Sequence, residues 1–234
     1  MVKTFKHSGD LGDIIYALPM IKHLGGGILY LNVNKLGTNY CGMPTKFNQK
    51  GYDLIRPLLL EQSYIKDVKI YTGEDIDYDI DEFRQIQPLS KINLAKAPCI
   101  HFKIDPNIVN KKWLKVGVKD LPEGKDVIFA RSPRYHGNFD WYRAVKGYKN
   151  RAVFVGIREE YDDFVKEFGC IETPFLETKD FLELAEYING CKLFIGNQSC
   201  PFAISEGLHK HNILEVSKYS PNCNFEREGH NKWI

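Results

Sequence analysis

Two short turns constrain this chain more than any other feature. Each closes an apolar strand and opens an apolar helix. The first is Gly9-Asp10-Leu11-Gly12-Asp13. It lies between a strand-like stretch at 2–6 and a run with Ile14, Ile15, Leu18, Ile21 and Leu24 at helical spacing. The second is Gly196-Asn197-Gln198-Ser199-Cys200, between a buried strand at 192–195 and a helix at 201–208 that has Pro201 in its first turn. A strand that feeds a helix in this way returns to its own sheet, and the next strand is then parallel. The alternation recurs, with strands at 28–33, 127–130, 152–156 and 212–216 and helices at 52–62, 140–145, 159–168 and 178–188. Thr178 is the expected N-cap of the last of these. The fold class is α/β, with parallel sheets covered on both faces and Rossmann-like, doubly wound halves.

Weaker segments complete the expectation. Short strands are expected at 68–71, 78–80, 99–102 and 170–172, and a helix at 107–116. Pro19 should kink or shorten the first helix. Residues 34–50 read as a loop. Residues 117–126, polar with two glycines and a proline, read as a linker. The expected division is 1–118 for a first domain, 119–217 for a second, and 218–234 for a tail that returns to the first. The aromatic residues Tyr219, Phe225 and Trp233 are the reason to expect that return, since they need somewhere to pack.

Charge excludes little. With 32 basic and 30 acidic side chains the net charge is +2, without the bias of a dedicated nucleic-acid binder. Lys111, Lys112 and Lys115 form a local basic cluster, read as a solvated face. Asp75, Asp77, Asp79 and Asp81 alternate with Ile76, Tyr78 and Ile80, but the glycine and closing glutamate of a calcium loop are missing. They read instead as the outward acids of a half-exposed edge strand. Six cysteines, Cys41, Cys99, Cys170, Cys191, Cys200 and Cys223, include no C-x-x-C pair. Reduced thiols and a cytoplasmic location are expected, without a signal peptide or a membrane span.

The two turns also carry the chemistry. Free N–H groups at the start of the second helix suit a phosphate or diphosphate, and Ser199 adds a hydroxyl. The alternative for Ser199 is an N-cap that satisfies its own helix. In the first turn, Asp13 is either a carboxylate that stabilises the helix dipole or a general base at the sheet edge. The spacing is neither G-x-G-x-x-G nor a P-loop. Arg131-Ser132-Pro133-Arg134-Tyr135-His136 follows the first strand of the second half. Arg131 or Arg134 is a candidate to neutralise a leaving diphosphate, or either is a surface arginine.

GDLGDIIYALPMIKHL resembles the N-terminal motif of the family-9 glycosyltransferases, the lipopolysaccharide heptosyltransferases. LFIGNQSCPFAISEGL resembles their C-terminal motif, and RAVFVGIREE the strand–glycine–acidic segment before the base pocket. The resemblance implies a GT-B fold, two Rossmann-like domains facing across a cleft. It also implies an inverting enzyme that needs no metal and no cofactor beyond its nucleotide-sugar co-substrate. Asp13 would then be the base, in a turn with Gly9, Asp10 and Gly12. Asn197, Gln198, Ser199 and Cys200 would line the donor diphosphate, and Gly156 and Ile157 would sit by the nucleoside. Arg131, Ser132 and Arg134 complete the candidate site. Three positions depart from the pattern: Gln198 replaces an aspartate, Cys200 a glycine and Ala203 a histidine. The partners implied are a nucleotide-sugar donor and a glycan acceptor. Two alternatives stand beside this reading, a hydroxylated pyrimidine of bacteriophage DNA as acceptor, and binding of a nucleotide or nucleotide-sugar without turnover.

Overall fold

The computed structural model describes residues 2–33 and 47–233. Most of the expected 34–50 loop, and Cys41 with it, lies outside these residues.

The first half alternates β1 (Lys3–His7), α1 (Leu11–His23), β2 (Gly27–Leu31), α2 (Gln49–Leu60), β3 (Ile65–Ile70) and the short β4 (Tyr78–Asp79). All pair in parallel, in the order β3-β2-β1-β4. The second half runs β5 (Val127–Ala130), α4 (Trp141–Tyr148), β6 (Ala152–Phe154), α5 (Arg158–Phe168), α6 (Phe181–Gly190), β7 (Leu193–Asn197), α7 (Cys200–Gly207), β8 (Asn212–Glu215) and β9 (His230–Trp233). Its parallel order is β6-β5-β7-β8-β9. Each sheet has a point where successive connections leave in opposite directions, β1/β4 in the first and β5/β7 in the second. Open α/β sheets present a crevice there, outside the carboxyl ends of the strands. Both sequence turns fall at these points.

The halves share one apolar core. Ile14, Ile15 and Leu18 of α1 belong to the same buried cluster as Phe202, Ala203 and Ile204 of α7. Every residue of α1 from Asp13 to Ile21 is buried, as befits a helix apolar on all sides. Pro19 does not end it, and the helix continues to His23. The burial of Met20 and Ile21 outweighs the one hydrogen bond that proline removes.

Several local expectations are corrected. The apolar run at 99–102 falls in and just after a short helix, α3 (Lys96–His101), not a strand. Between 107 and 116 only a 3-10 turn, Pro106–Asn110, forms. Residues 170–172 form no strand. The cap of α6 is Asp180, whose side chain accepts from the Glu183 N–H, in place of Thr178. β4 is the edge strand expected, with Asp77 exposed and Asp79 38% exposed at its side chain, but its acids do more than face solvent. Asp77 accepts from Thr4, Asp79 from Lys6 and Asp81 from Ser8, so they fasten β4 to β1 side chain by side chain.

The tail first crosses to the first half. Leu94 donates its N–H to the Asn222 carbonyl, and Phe225 packs on Tyr16 and Trp113. It then turns back and ends as β9, the edge strand of the second sheet, a strand not among those expected above. Tyr219 packs on neither half and is 91% exposed.

Candidate active site

The first corner is built around a buried histidine. His7 ends β1, and its Nδ1 accepts the Gly9 N–H at 2.8 Å, which folds the chain sharply toward α1. Burial lowers the His7 pKa to about 3, so the ring is neutral. Asp10 is the N-cap residue of α1 and makes no side-chain cap bond. Asp13, one turn later, is only 9% exposed at its side chain. Its Oδ2 lies 3.6 Å from Nη2 of Arg84. Burial pushes the Asp13 pKa up to about 6, with Asp10 adding to the rise and Arg84 and Arg134 opposing it. A carboxyl in that range exchanges a proton near neutrality, as a general base must.

The second corner is held by Asn197, fully buried at the end of β7. Its Oδ1 accepts the Ser132 N–H at 3.0 Å, and its Nδ2 donates to the carbonyls of Ser132 and Arg134. This one side chain fixes the loop after β5 against the loop after β7. Ser199 is the N-cap residue of α7 but makes no side-chain cap bond, and its hydroxyl donates to the Asn197 carbonyl at 3.2 Å. The N–H groups of Cys200 and Phe202 in the first turn therefore keep their usual lack of an intrahelical partner. Burial and the nearby Asp13 raise the Cys200 thiol pKa.

The corners meet. A Cβ placed on Gly12 would sit 3.8 Å from Cα and N of Cys200. Arg134, extending from the β5 loop, pairs with Asp10 at 3.4 Å. Asp13, Asp10, Gly12, Arg134, Ser199 and Cys200 are thus gathered at one place.

Other candidates are placed differently. Arg131 is bound inward, with Nε on the buried Glu215 at 3.1 Å and Nη1 on Glu167 at 2.7 Å. Glu215 also accepts from the Trp141 indole and the Gly137 N–H. Gln198 is buried with its amide engaged in the tail. It accepts from the Ser217 N–H and donates to the Ser220 carbonyl and Asn222. His136 bonds the Ser132 carbonyl at 2.8 Å. At the end of β6, Gly156 has φ 145°, and a Cβ there would meet Glu160 Oε2 at 2.5 Å. Ile157 is 59% exposed, and its N–H is held by Glu160. A cavity of about 370 Å³ opens beside the corner, lined by Arg131, Ser132, His136, Glu160, Phe164 and Lys166 among others.

Sequence reasoning missed His7, Asp81, Arg84 and Glu160. Glu160 had a signal, an acid four residues beyond a strand-ending glycine. Arg84 had none within its own segment.

No family model and no curated protein matches the sequence. Solved structures do match in fold. A glycosyl transferase family 9 protein from Veillonella parvula shares 12% identity at TM-score 0.61, over 98% of this chain and 84% of that one. The ADP-heptose lipopolysaccharide heptosyltransferase II of E. coli shares 10% at 0.62, over 100% and 90%. The E. coli heptosyltransferase WaaC, solved with ADP-2-deoxy-2-fluoro heptose, shares 7% at 0.58, over 100% and 93%. The chain therefore has the fold of the family-9 glycosyltransferase structures, whose motifs its two corners resemble.

Proposed function

We propose that the protein is an inverting, metal-independent glycosyltransferase that moves a sugar from a nucleotide-sugar to a glycan hydroxyl. The observation that carries this reading is the meeting of the buried Asp13 carboxylate with the start of α7 at one gap between two sheet edges. WaaC was solved with an ADP-sugar analogue, which makes an ADP-sugar the first donor to test.

In this reading Asp13 takes the proton as the acceptor oxygen attacks C1 of the sugar. The new C1–O bond forms on the face opposite the diphosphate, and the old one breaks. The diphosphate leaves with the bond's electron pair. Its charge is met by the Cys200 and Phe202 N–H groups, by Arg134, and by the Ser199 hydroxyl once it turns from the Asn197 carbonyl. Asn197 acts at one remove, by holding the loop that carries Ser132 and Arg134. The cavity along α5, with Glu160 at its wall, is where the nucleoside would extend.

The experiment begins with ADP and ADP-heptose in a thermal-shift assay, since a ligand of the native state raises the melting temperature. Turnover of ADP-heptose with and without glycan acceptors follows, for the parent and for Asp13→Asn. Binding with no turnover for any acceptor would leave a nucleotide-binding protein in place of an enzyme. Undiminished turnover by Asp13→Asn would remove Asp13 as the base.

A further inference from the structure

We propose that Arg84 is a positioning residue for Asp13, a cation brought from the far edge of the first sheet to hold that carboxylate charged and turned toward the gap. The inference rests on the reading of Asp13 as the base.

Arg84 lies in the 3-10 turn that follows β4, Ile80–Gln85. β4 pairs with β1, so the turn after one strand stands beside the corner after the other. The guanidinium is 15% exposed at its side chain and contacts two carboxylates. Nη1 donates to Asp81, and Nη2 faces Asp13 at 3.6 Å. Asp81 is itself fixed by the N–H and hydroxyl of Ser8 and by Lys6 at 3.3 Å. Nε and Nη2 of Arg84 are buried and find no hydrogen-bond partner among the described residues. A guanidinium held only to satisfy Asp81 would not need to bring Nη2 against Asp13. Gly9 makes room for the approach, since a Cβ there would lie 2.7 Å from Arg84 Nη2 and 2.7 Å from Asp13 Cβ.

The charge arithmetic agrees in direction. Asp13 is faced by Asp10 and Tyr16 from its own corner and helix, Arg134 from the β5 loop, Cys200 from α7, Cys223 from the tail and Arg84. The two arginines and a backbone hydrogen bond at Asp10 favour its ionised form, and Arg84 is the largest of these influences. Without it, burial shifts the acid further toward its protonated form, which cannot accept a proton.

The test is a carbon-13 titration of protein labelled at aspartate, with the Asp13 carboxyl assigned by its loss in Asp13→Asn. Arg84→Gln is expected to move the Asp13 midpoint upward by about one pH unit, about a tenfold change in the ratio of ionised to protonated carboxyl at fixed pH. Arg84→Lys is expected to restore most of the difference. Asp81→Asn, which leaves Arg84 to Asp13 alone, is expected to move the midpoint down, and it carries the test if Arg84→Gln does not fold. A midpoint unmoved in Arg84→Gln, or in Asp81→Asn, overturns the role. Turnover of ADP-heptose by Asp13→Asn is measured separately. If it persists the base reading fails, whatever the titrations show about Arg84.

Discussion

Arg134 and Asp10 meet across the two halves, with both terminal nitrogens of the guanidinium 3.4 Å from one carboxylate oxygen. The pair is half exposed on the arginine side, so screening leaves it at most about 1 kcal/mol of stability. Its value is positional, since it parks a cation at the mouth of the gap. Arg131, three residues earlier, is the reverse case. It is 11% exposed and neutralises a Glu215 that is fully buried. Arg134→Ala is therefore expected to leave the melting temperature nearly unchanged and to weaken ADP binding about tenfold by calorimetry. Arg131→Ala is expected to cost about 3–5 kcal/mol in urea unfolding, because it strands a buried charge. Unchanged ADP affinity in Arg134→Ala would remove it from the donor site.

Asp13 sets a pH dependence of opposite sign to the usual paired carboxylate. Its folded pKa is raised to about 6, above the value in an unfolded chain. The folded state therefore binds the proton more tightly, and stability is lost as pH rises from about 4 to about 6. The loss is at most about 3 kcal/mol for a shift of this size. Asp13→Asn removes the ionisation, so its melting temperature relative to the parent is expected to climb between pH 4.5 and 7.5. The same proton gives turnover an acid limb near pH 6. A constant difference in melting temperature across that range would show that Asp13 titrates elsewhere.

Gln198 departs from the family pattern, and the tail accounts for the departure. Its amide donates to the Ser220 carbonyl and Asn222 Oδ1, so a carboxylate there would face two acceptors. Gln198→Glu is expected to destabilise by about 2–4 kcal/mol at pH 7.5 and by less at pH 5, where the acid can be protonated and donate. Chemical denaturation at the two pH values tests this. Equal stability to the parent would mean that the tail is not held by this side chain.

Both corners were legible because each is a continuous stretch in which glycine, acid and helix start are neighbours. The parallel alternation was legible for the same reason, as each βα unit repeats a local pattern. The surroundings of Asp13 were not. Arg84 is brought to it by the β1/β4 register, and nothing in the segment after β4 distinguishes that arginine from a surface one. The acids at 77, 79 and 81 alternate as an exposed edge would. Only the pairing with Thr4, Lys6 and Ser8 shows that they also bind β4 to β1. Part of helix α3 was read as a strand because a run as short as Cys99, Ile100, His101 and Phe102 fits either period. β9 carries no apolar alternation, since His230, Asn231 and Lys232 are polar, and its pairing depends on where the tail returns.

The two glycines of the first corner differ in what surrounds them, and that difference is the sharpest check on its geometry. Around Gly9 a Cβ would meet His7 Cε1 at 2.4 Å as well as Arg84 and Asp13. His7 is pinned by its bond to the Gly9 N–H, and Arg84 by Asp81, so neither yields freely. Gly9→Ala must then displace Asp13 itself. Displacements near 1 Å cost a catalytic site about a hundredfold, and that loss of turnover is expected while ADP, which the proposed function places mainly on the second half, still binds. Around Gly12 a Cβ would make ordinary contacts of 3.8 and 3.9 Å with Cys200 and Ser199. Gly12 also lies in the first turn of α1, where alanine favours helix by about 0.5–1 kcal/mol. Gly12→Ala is expected to fold at least as stably as the parent. Melting curves, ADP calorimetry and ADP-heptose turnover on the two variants separate the cases. If Gly9→Ala turns over like the parent, Asp13 does not depend on the packing of this corner.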